Sequence, residues 1–389
     1  MSTHASQPLG SWRQHFPHWD LPERVAPPLA DVLATGPRDA AELAFAKAVE
    51  ALPKVELHVH LEAAVPAAFY AGLNQRRRLY AEGNLPAQRA PFPTLKQFID
   101  AWLDNCHLVD AEALFRDMAR AFVELRVASN IRYSEAHISP FDFSYGRTRF
   151  GFGDRALDFR LALEGYLAGL KEGLAAHPGF DARLIVDMLW ISEPSECDAM
   201  LKTLDAVQKT PLACKAGSGE PLIVAIGLGG PEHAELAASK LSFVRRCRDL
   251  GLKVDIHSGE TTTAAEHRQA VTTLAPDRVG HGIAPAARPD PAAPVRFYER
   301  GVAACPTSNL LTGSFKGPLR AHPITAMLAQ GTPVCVNTDD PLLFGTTLTL
   351  EFTALRQALG WDLAKVIELQ ESAAMMAFAP EAAHKARSR

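Results

Sequence analysis

A closed barrel of eight parallel strands, each followed by a helix, is the fold class this sequence predicts: an α/β chain of the (β/α)₈, TIM type, with an N-terminal extension and insertions at the rim. Three observations carry that expectation. Eight short apolar runs recur along the chain, amphipathic segments separate most of them, and most runs end on a polar or small residue followed by Gly, Pro, Asp or Ser. Strands alternating with helices imply a parallel sheet, eight such units suggest closure, and in such a barrel the C-terminal strand ends carry the chemistry. An open doubly wound sheet is the alternative, but no G-x-G-x-x-G follows the first run.

Residues 1–38 are Pro-rich without clear periodicity and read as an extension that wraps the surface, leaving residues 39–389 as one barrel domain. Ala40–Ala51 repeats Ala, Leu and Val on one helical face. The expected strands are Lys54–His60, Ile131–Ile138, Arg183–Trp190, Leu222–Leu228, Leu252–His257, Arg278–His281, Val302–Cys305 and Pro333–Thr338. Helices are expected over Ala111–Ser129, Ala156–Ala176, Pro194–Gln208, Glu232–Leu250 and Thr263–Ala275. The connections Leu79–Pro93, Asp142–Gly153 and Lys209–Glu220 are rich in Gly, Pro or charge and read as rim loops or lids, and position alone makes Val65–Cys106 the candidate gate.

Composition narrows the class. The 389 residues are 47% apolar and 22% charged, as in a globular protein with a large core. Forty Lys and Arg against 44 Asp and Glu leave a net charge of −4, which does not favour nucleic acid or anionic membranes. Six cysteines without a C-x-x-C pair read as reduced thiols, and Met1–Asp20 has no apolar run of the signal-peptide kind. With no apolar stretch of about 18 residues, the expectation is a cytoplasmic enzyme acting on a small molecule. None of these features specifies an oligomeric state.

Four strand ends carry candidate chemistry, and each alone has an ordinary explanation. His58 and His60 share a strand face, although H-x-H pairs arise by chance. His257 ends a run with Glu260 three residues on, yet Ser258 and Glu260 also suit a helix N-terminus. His281 lies between Gly280 and Gly282, where bulk would obstruct a ligand, though it also suits a structural histidine. Asp339 and Asp340 end a buried run, and Asp-Asp-Pro is good turn chemistry. Together, three histidines and a carboxylate supply a zinc donor set with a position left for water. Zinc lowers the pKa of bound water to about 7. Glu260, His281 and Asp340 would then handle protons and orient a substrate.

The chain resembles the adenosine/adenine deaminase family of the amidohydrolase superfamily. The resemblance rests on Pro53–Glu62, His257-Ser258-Gly259-Glu260, Arg278–Gly282, Cys305–Gly313 and Asn337–Pro341, in the family's order over residues 50–380. It implies one Zn²⁺ per chain on His58, His60, His257 and Asp339. It further implies that Glu260 protonates purine N1, that His281 holds or deprotonates the water attacking C6 and stabilises the developing oxyanion, that Asp340 contacts N7, and that the Gly230 N–H reaches N3. His60 and Glu62 would lie by the rest of the substrate, and Asp339 is catalytic as well as a ligand.

Several positions depart from the family pattern. Ala63 replaces a Gly, Ser258 an Ala and His137 an Arg. Gly227 stands where adenosine deaminases commonly carry Asp, and Glu62 where nucleoside deaminases often carry an Asp near the ribose 5′-hydroxyl. The fourth strand ends without the bridging Lys of two-metal relatives, and Lys215 lies before it. The expected reaction is zinc-dependent hydrolytic deamination of adenosine or deoxyadenosine, with adenine or a modified, aminofutalosine-type adenosine as the rival. A metal-dependent hydrolase of phosphoesters or cyclic amides and a non-catalytic binding protein are the more distant alternatives.

Overall fold

The computed structural model describes residues 13–18, 36–77, 92, 94–109, 111–140 and 155–388. The expected loop Asp142–Gly153, nearly all of Leu79–Pro93 and most of the extension over 1–38 therefore lie outside the described residues. Eight strands form one parallel sheet in sequence order: β1 (Lys54–His60), β2 (Ile131–Ile138), β3 (Asp181–Leu189), β4 (Ile223–Gly229), β5 (Lys253–Ser258), β6 (Arg278–His281), β7 (Val302–Ala304) and β8 (Val334–Val336). The barrel closes where the chain beyond β8 meets β1: His60 N–H donates to the Asp339 carbonyl (2.8 Å) and Asp339 N–H to that of His58 (3.2 Å).

The surrounding helices are α1 (Ala40–Ala51), α2 (Ala67–Arg77), α3 (Leu95–Cys106), α4 (Glu112–Ala128), α5 (Arg155–Ala176), α6 (Pro194–Gln208), α7 (Ala237–Asp249) and α8 (Ala264–Leu274). After the short α9 (Ala284–Ala287), α10 (Pro306–Leu311), α11 (Ile324–Ala329) and α12 (Pro341–Phe344) come α13 (Leu348–Leu359), α14 (Leu363–Met376) and α15 (Pro380–Arg387). Among the described residues no helix is long and apolar enough to cross a membrane. Within the expected extension, Phe16 is buried against Ala46 and Leu350.

One expected helix start moves, and one alternative cap is not made. The helix expected from Glu232 begins at Ala237, because the Glu232 carboxylate turns to the loop after β5 instead. Ser258 does not cap a helix: its hydroxyl pairs with His267 Nδ1 (2.9 Å), and Thr263 starts α8 through a reciprocal capping box with Glu266.

Strand β1 aims its histidines through an irregularity. Its register with β2 shifts between Glu56 and Val59. Val55 and Leu57 join Tyr133, Ala303 and Cys335 in a small cluster that α14 and α15 close, whereas Val59 and Leu61 belong to the main core. The apolar side thus changes hands across the bulge, and His58 and His60 take the site-facing side. The amides of Leu57 and His58 donate to the Asn337 side-chain oxygen (2.9 and 3.1 Å).

Charge also holds the barrel together. Arg278 on β6 is fully buried and donates to Asp255 on β5 (2.9 Å), Glu135 on β2 (2.7 Å) and the Leu57 carbonyl on β1 (3.0 Å). Its guanidinium lies 4.1 Å from the centre of the Phe378 ring. Removing one member of a buried ionic network leaves the others uncompensated. Arg278→Met is expected to lower the unfolding free energy by about 3–5 kcal/mol, read from denaturant titration; a loss under about 1 kcal/mol would show the network to be dispensable.

Candidate active site

The four expected ligands converge at the C-terminal strand ends. His58 and His60 leave β1, His257 leaves β5, and Asp339 follows β8; one potential ligand atom from each lies within 4.8 Å of all the others. Asp339 Oδ1 is 3.3 Å from His58 Nε2 and 3.4 Å from His60 Nε2, and His60 Nε2 is 3.2 Å from His257 Nε2. Neither Asp339 Oδ1 nor His58 Nε2, both buried, has a hydrogen-bond partner. Buried polar atoms without partners cost free energy, so this donor set suits a divalent cation. The outward atoms are already engaged: Ser308 donates to Asp339 Oδ2 (2.7 Å), and His257 Nδ1–H meets the Leu228 carbonyl (3.1 Å), which frees Nε2.

Backbone strain aims two of the side chains. His281 and Asp339 are non-glycine residues with φ of 63°, a left-handed conformation that costs about 1–3 kcal/mol and persists where surrounding contacts hold it. Gly280 has a role other than the expected one. A Cβ there would come within 2.5 Å of the His58 ring, so the missing side chain makes room for a ligand-set histidine rather than for substrate. Ala63 needs no glycine geometry, since it lies in a 3-10 turn with negative φ.

Glu260 is held from three sides. The Glu232 carboxylate accepts from the backbone N–H groups of Glu260 (2.6 Å), Gly259 and Thr262 (both 3.2 Å). Arg288 donates to the carbonyls of Thr262 (2.6 Å), Gly259 (3.2 Å) and Glu260. On the side chain, Ser314 Oγ (2.9 Å) and Thr312 Oγ1 (3.4 Å) donate to Oε1, leaving Oε2 facing His281 Nε2 at 3.8 Å. Burial pushes the Glu260 carboxyl above its ordinary range, with Asp339 and Glu232 adding to the effect against His281. With Oε1 occupied as an acceptor, the proton of the neutral acid belongs on Oε2. Burial and the neighbouring Asp339 likewise push Asp340 up.

The residues around these groups form a cavity of about 200 Å³, lined by His60, Gly230, Glu260, His281, Asp339 and Asp340 among others. Leu95, Phe98, Ile99, Trp102 and Leu103 of α3 make one apolar wall, which places part of the expected gate segment at the cavity. No Lys or Arg lines it among the described residues. Glu62 is not part of the lining. Its Oε1 accepts from Ser139 N–H and Tyr166 O–H, both 2.7 Å, and the side chain is buried, with Oε2 lacking a hydrogen-bond partner.

The departures at His137 and Gly227 belong together. His137 Nδ1 is 2.9 Å from Asp187 Oδ1, and a Cβ at Gly227 would fall 1.8 Å from that same oxygen. The Asp187 carboxylate of β3 thus fills the space that a β4 side chain would enter, and Asp187 lines the cavity. Asp187 has no signal of its own in the sequence; its trace is the pair of departures at His137 and Gly227. Ser308 and Asn309 were inside a recognised motif without a role, and Glu232, Arg288 and Ser314 were not singled out. Lys215 is paired with Asp181 at the start of β3, at 2.7 Å.

Comparison with known proteins agrees with this architecture. The family model described as adenosine deaminase matches residues 53–387. An adenine deaminase of Rhodopseudomonas palustris is 29% identical over 337 residues, covering 85% of this chain and 90% of the relative. An aminodeoxyfutalosine deaminase of Acidothermus cellulolyticus is 30% identical over 317 residues, covering 78% and 82%. The crystal structure of an adenine deaminase from Arthrobacter aurescens superposes with a TM-score of 0.71 at 23% identity, covering 87% of this chain and 99% of that one, a likeness of fold.

Proposed function

The chain belongs to the adenosine deaminase family, a deaminase acting hydrolytically on amidines, and from that premise we propose that it removes the 6-amino group of free adenine, giving a 6-oxopurine and ammonia. The observation that carries the choice of substrate is the position of Glu62. A ribose brings hydroxyls that need polar partners when buried. The Glu62 carboxylate, two residues beyond the ligand pair, is engaged through Oε1 by Ser139 and Tyr166 and is not among the residues that line the cavity. This ranks adenine above adenosine, the first expectation from sequence. Among the curated relatives, the adenine deaminase of Rhodopseudomonas palustris points the same way.

His58, His60, His257 and Asp339 would hold the metal. Zinc bound there would supply a Lewis acid that makes water nucleophilic at neutral pH. Glu260 gives the Oε2 proton to ring N1, which makes C6 electrophilic. His281 faces the attacking water and the oxygen forming at C6. Asp340 contacts N7 and the Gly230 backbone N–H contacts N3, so the ring is gripped at three nitrogens.

A second reading, a purine with an apolar extension at N9, is favoured by the α3 wall of Phe98, Ile99 and Trp102. The test is kcat/KM for adenine, adenosine, deoxyadenosine and adenines alkylated at N9. Adenine is expected to exceed both nucleosides by at least about 100-fold, the scale on which an unmatched buried hydroxyl is rejected. Preference for adenosine would overturn the assignment, and preference for the alkylated base would select the second reading.

A further inference from the structure

We propose that His322 and Asn309 are positioning residues: together they fix the tautomer of His281 so that its Nε2 carries the proton facing the reacting centre, making His281 a hydrogen-bond donor to the oxygen formed at C6 rather than the base that takes a proton from water.

The inference follows from one donor whose role is not adjustable. The backbone N–H of Ile324 can only donate, and it points at His322 Nδ1 (3.2 Å), so that nitrogen is an acceptor. His322 is fully buried, and burial pulls its pKa down to about 3, so the ring is neutral and its proton lies on Nε2. His322 Nε2–H therefore donates to the Asn309 side chain (3.2 Å), whose facing atom must be the carbonyl oxygen Oδ1. That orients the amide, and Asn309 Nδ2–H₂ donates to His281 Nδ1 (3.0 Å). His281 Nδ1 is thus an acceptor, and in the neutral ring the proton belongs to Nε2. That nitrogen lies 3.8 Å from Glu260 Oε2 and 4.0 Å from Asp339 Oδ2, and His281 lines the cavity with both residues.

The relay runs from the start of α11 through α10 to the end of β6, with all three side chains buried. It assigns a role to His322, which touches neither the cavity nor the expected ligands. An Nε2–H donor at this point stabilises charge on the oxygen as it forms, the arrangement that lowers barriers in acyl and amidine chemistry.

The role of His281 rests on the deamination proposed above, but its tautomer can be measured without turnover. In protein labelled with ¹⁵N-histidine, the His281 ring, identified by its loss in His281→Gln, is expected to show the pyrrole-type shift at Nε2 and the pyridine-type shift at Nδ1. The opposite pattern would overturn the inference even if the enzyme deaminates adenine; the expected pattern without deamination would instead remove the functional reading. Asn309→Asp replaces the amide donor with an acceptor and should move the proton to Nδ1, lowering kcat by about 10²–10⁴-fold, as wrong-tautomer variants of catalytic histidines do. Metal content and KM are expected to be unchanged. Unchanged kcat in a folded Asn309→Asp variant, or a wild-type-like tautomer in it, would refute the relay.

Discussion

Replacing Glu260 with Gln is expected to lower kcat/KM by about 10²–10⁴-fold, the usual worth of a general acid, while metal content stays as in the parent. The amide keeps the size of the side chain and can still accept from Ser314 and Thr312 at the Oε1 position. It cannot transfer a proton to ring N1. Because Glu232 and Arg288 hold the loop through backbone groups, its geometry does not depend on the charge of the Glu260 side chain. The pH profile gives an independent reading. Burial raises the Glu260 pKa, so the neutral acid persists to higher pH than for an ordinary carboxyl, and activity falls as pH rises through that raised value. Glu260→Gln should lose this alkaline limb. Activity within about 3-fold of the parent would move the acid role elsewhere.

Stripping the metal with a chelator should abolish turnover and also loosen the fold. Four groups, three of them buried, converge, and two of their facing atoms, His58 Nε2 and Asp339 Oδ1, have no hydrogen-bond partner. An ion that binds only the folded chain stabilises it by about 4 kcal/mol at a thousandfold excess over its dissociation constant. Removing it should lower the thermal midpoint, and zinc should restore both midpoint and rate. His257→Ala should resist that restoration, since His257 Nε2 is held toward the site by the Nδ1–H contact to Leu228. A stripped protein that keeps its rate would remove the metal from the mechanism, and two tightly held ions would call for a different chemistry. Affinity should fall as pH drops, because the ligand imidazoles must be neutral and the carboxylate ionised.

The strands and ligands were legible because each rests on local pattern. An H-x-H pair on one strand, a histidine closing an apolar run and an Asp-Asp pair after another need only the alternation of a strand to be placed. The exchange at β2, β3 and β4 was not, since His137, Asp187 and Gly227 make sense only when three strands lie side by side. His322 lies outside every recognised motif, and its meaning depends on which face of a buried amide it meets. The β1 bulge was hidden for a related reason: its evidence is a pair of amides answered by Asn337, 279 and 280 residues away. The substrate was read differently from the sequence because the identity of Glu62 does not reveal that Ser139 and Tyr166 engage its carboxylate.

The overlap of Gly227 with the Asp187 carboxylate also constrains descent. Two strands compete for one volume, so that volume admits a carboxylate from β3 or a side chain from β4, not both. A lineage that acquired a larger residue at 227 while Asp187 remained would meet a contact of 1.8 Å, far inside any tolerable approach. Loss of Asp187 first would instead leave a void and deprive His137 Nδ1 of its hydrogen-bond partner. Change at either position is therefore conditional on the other, and the order of substitutions decides which evolutionary route stays open.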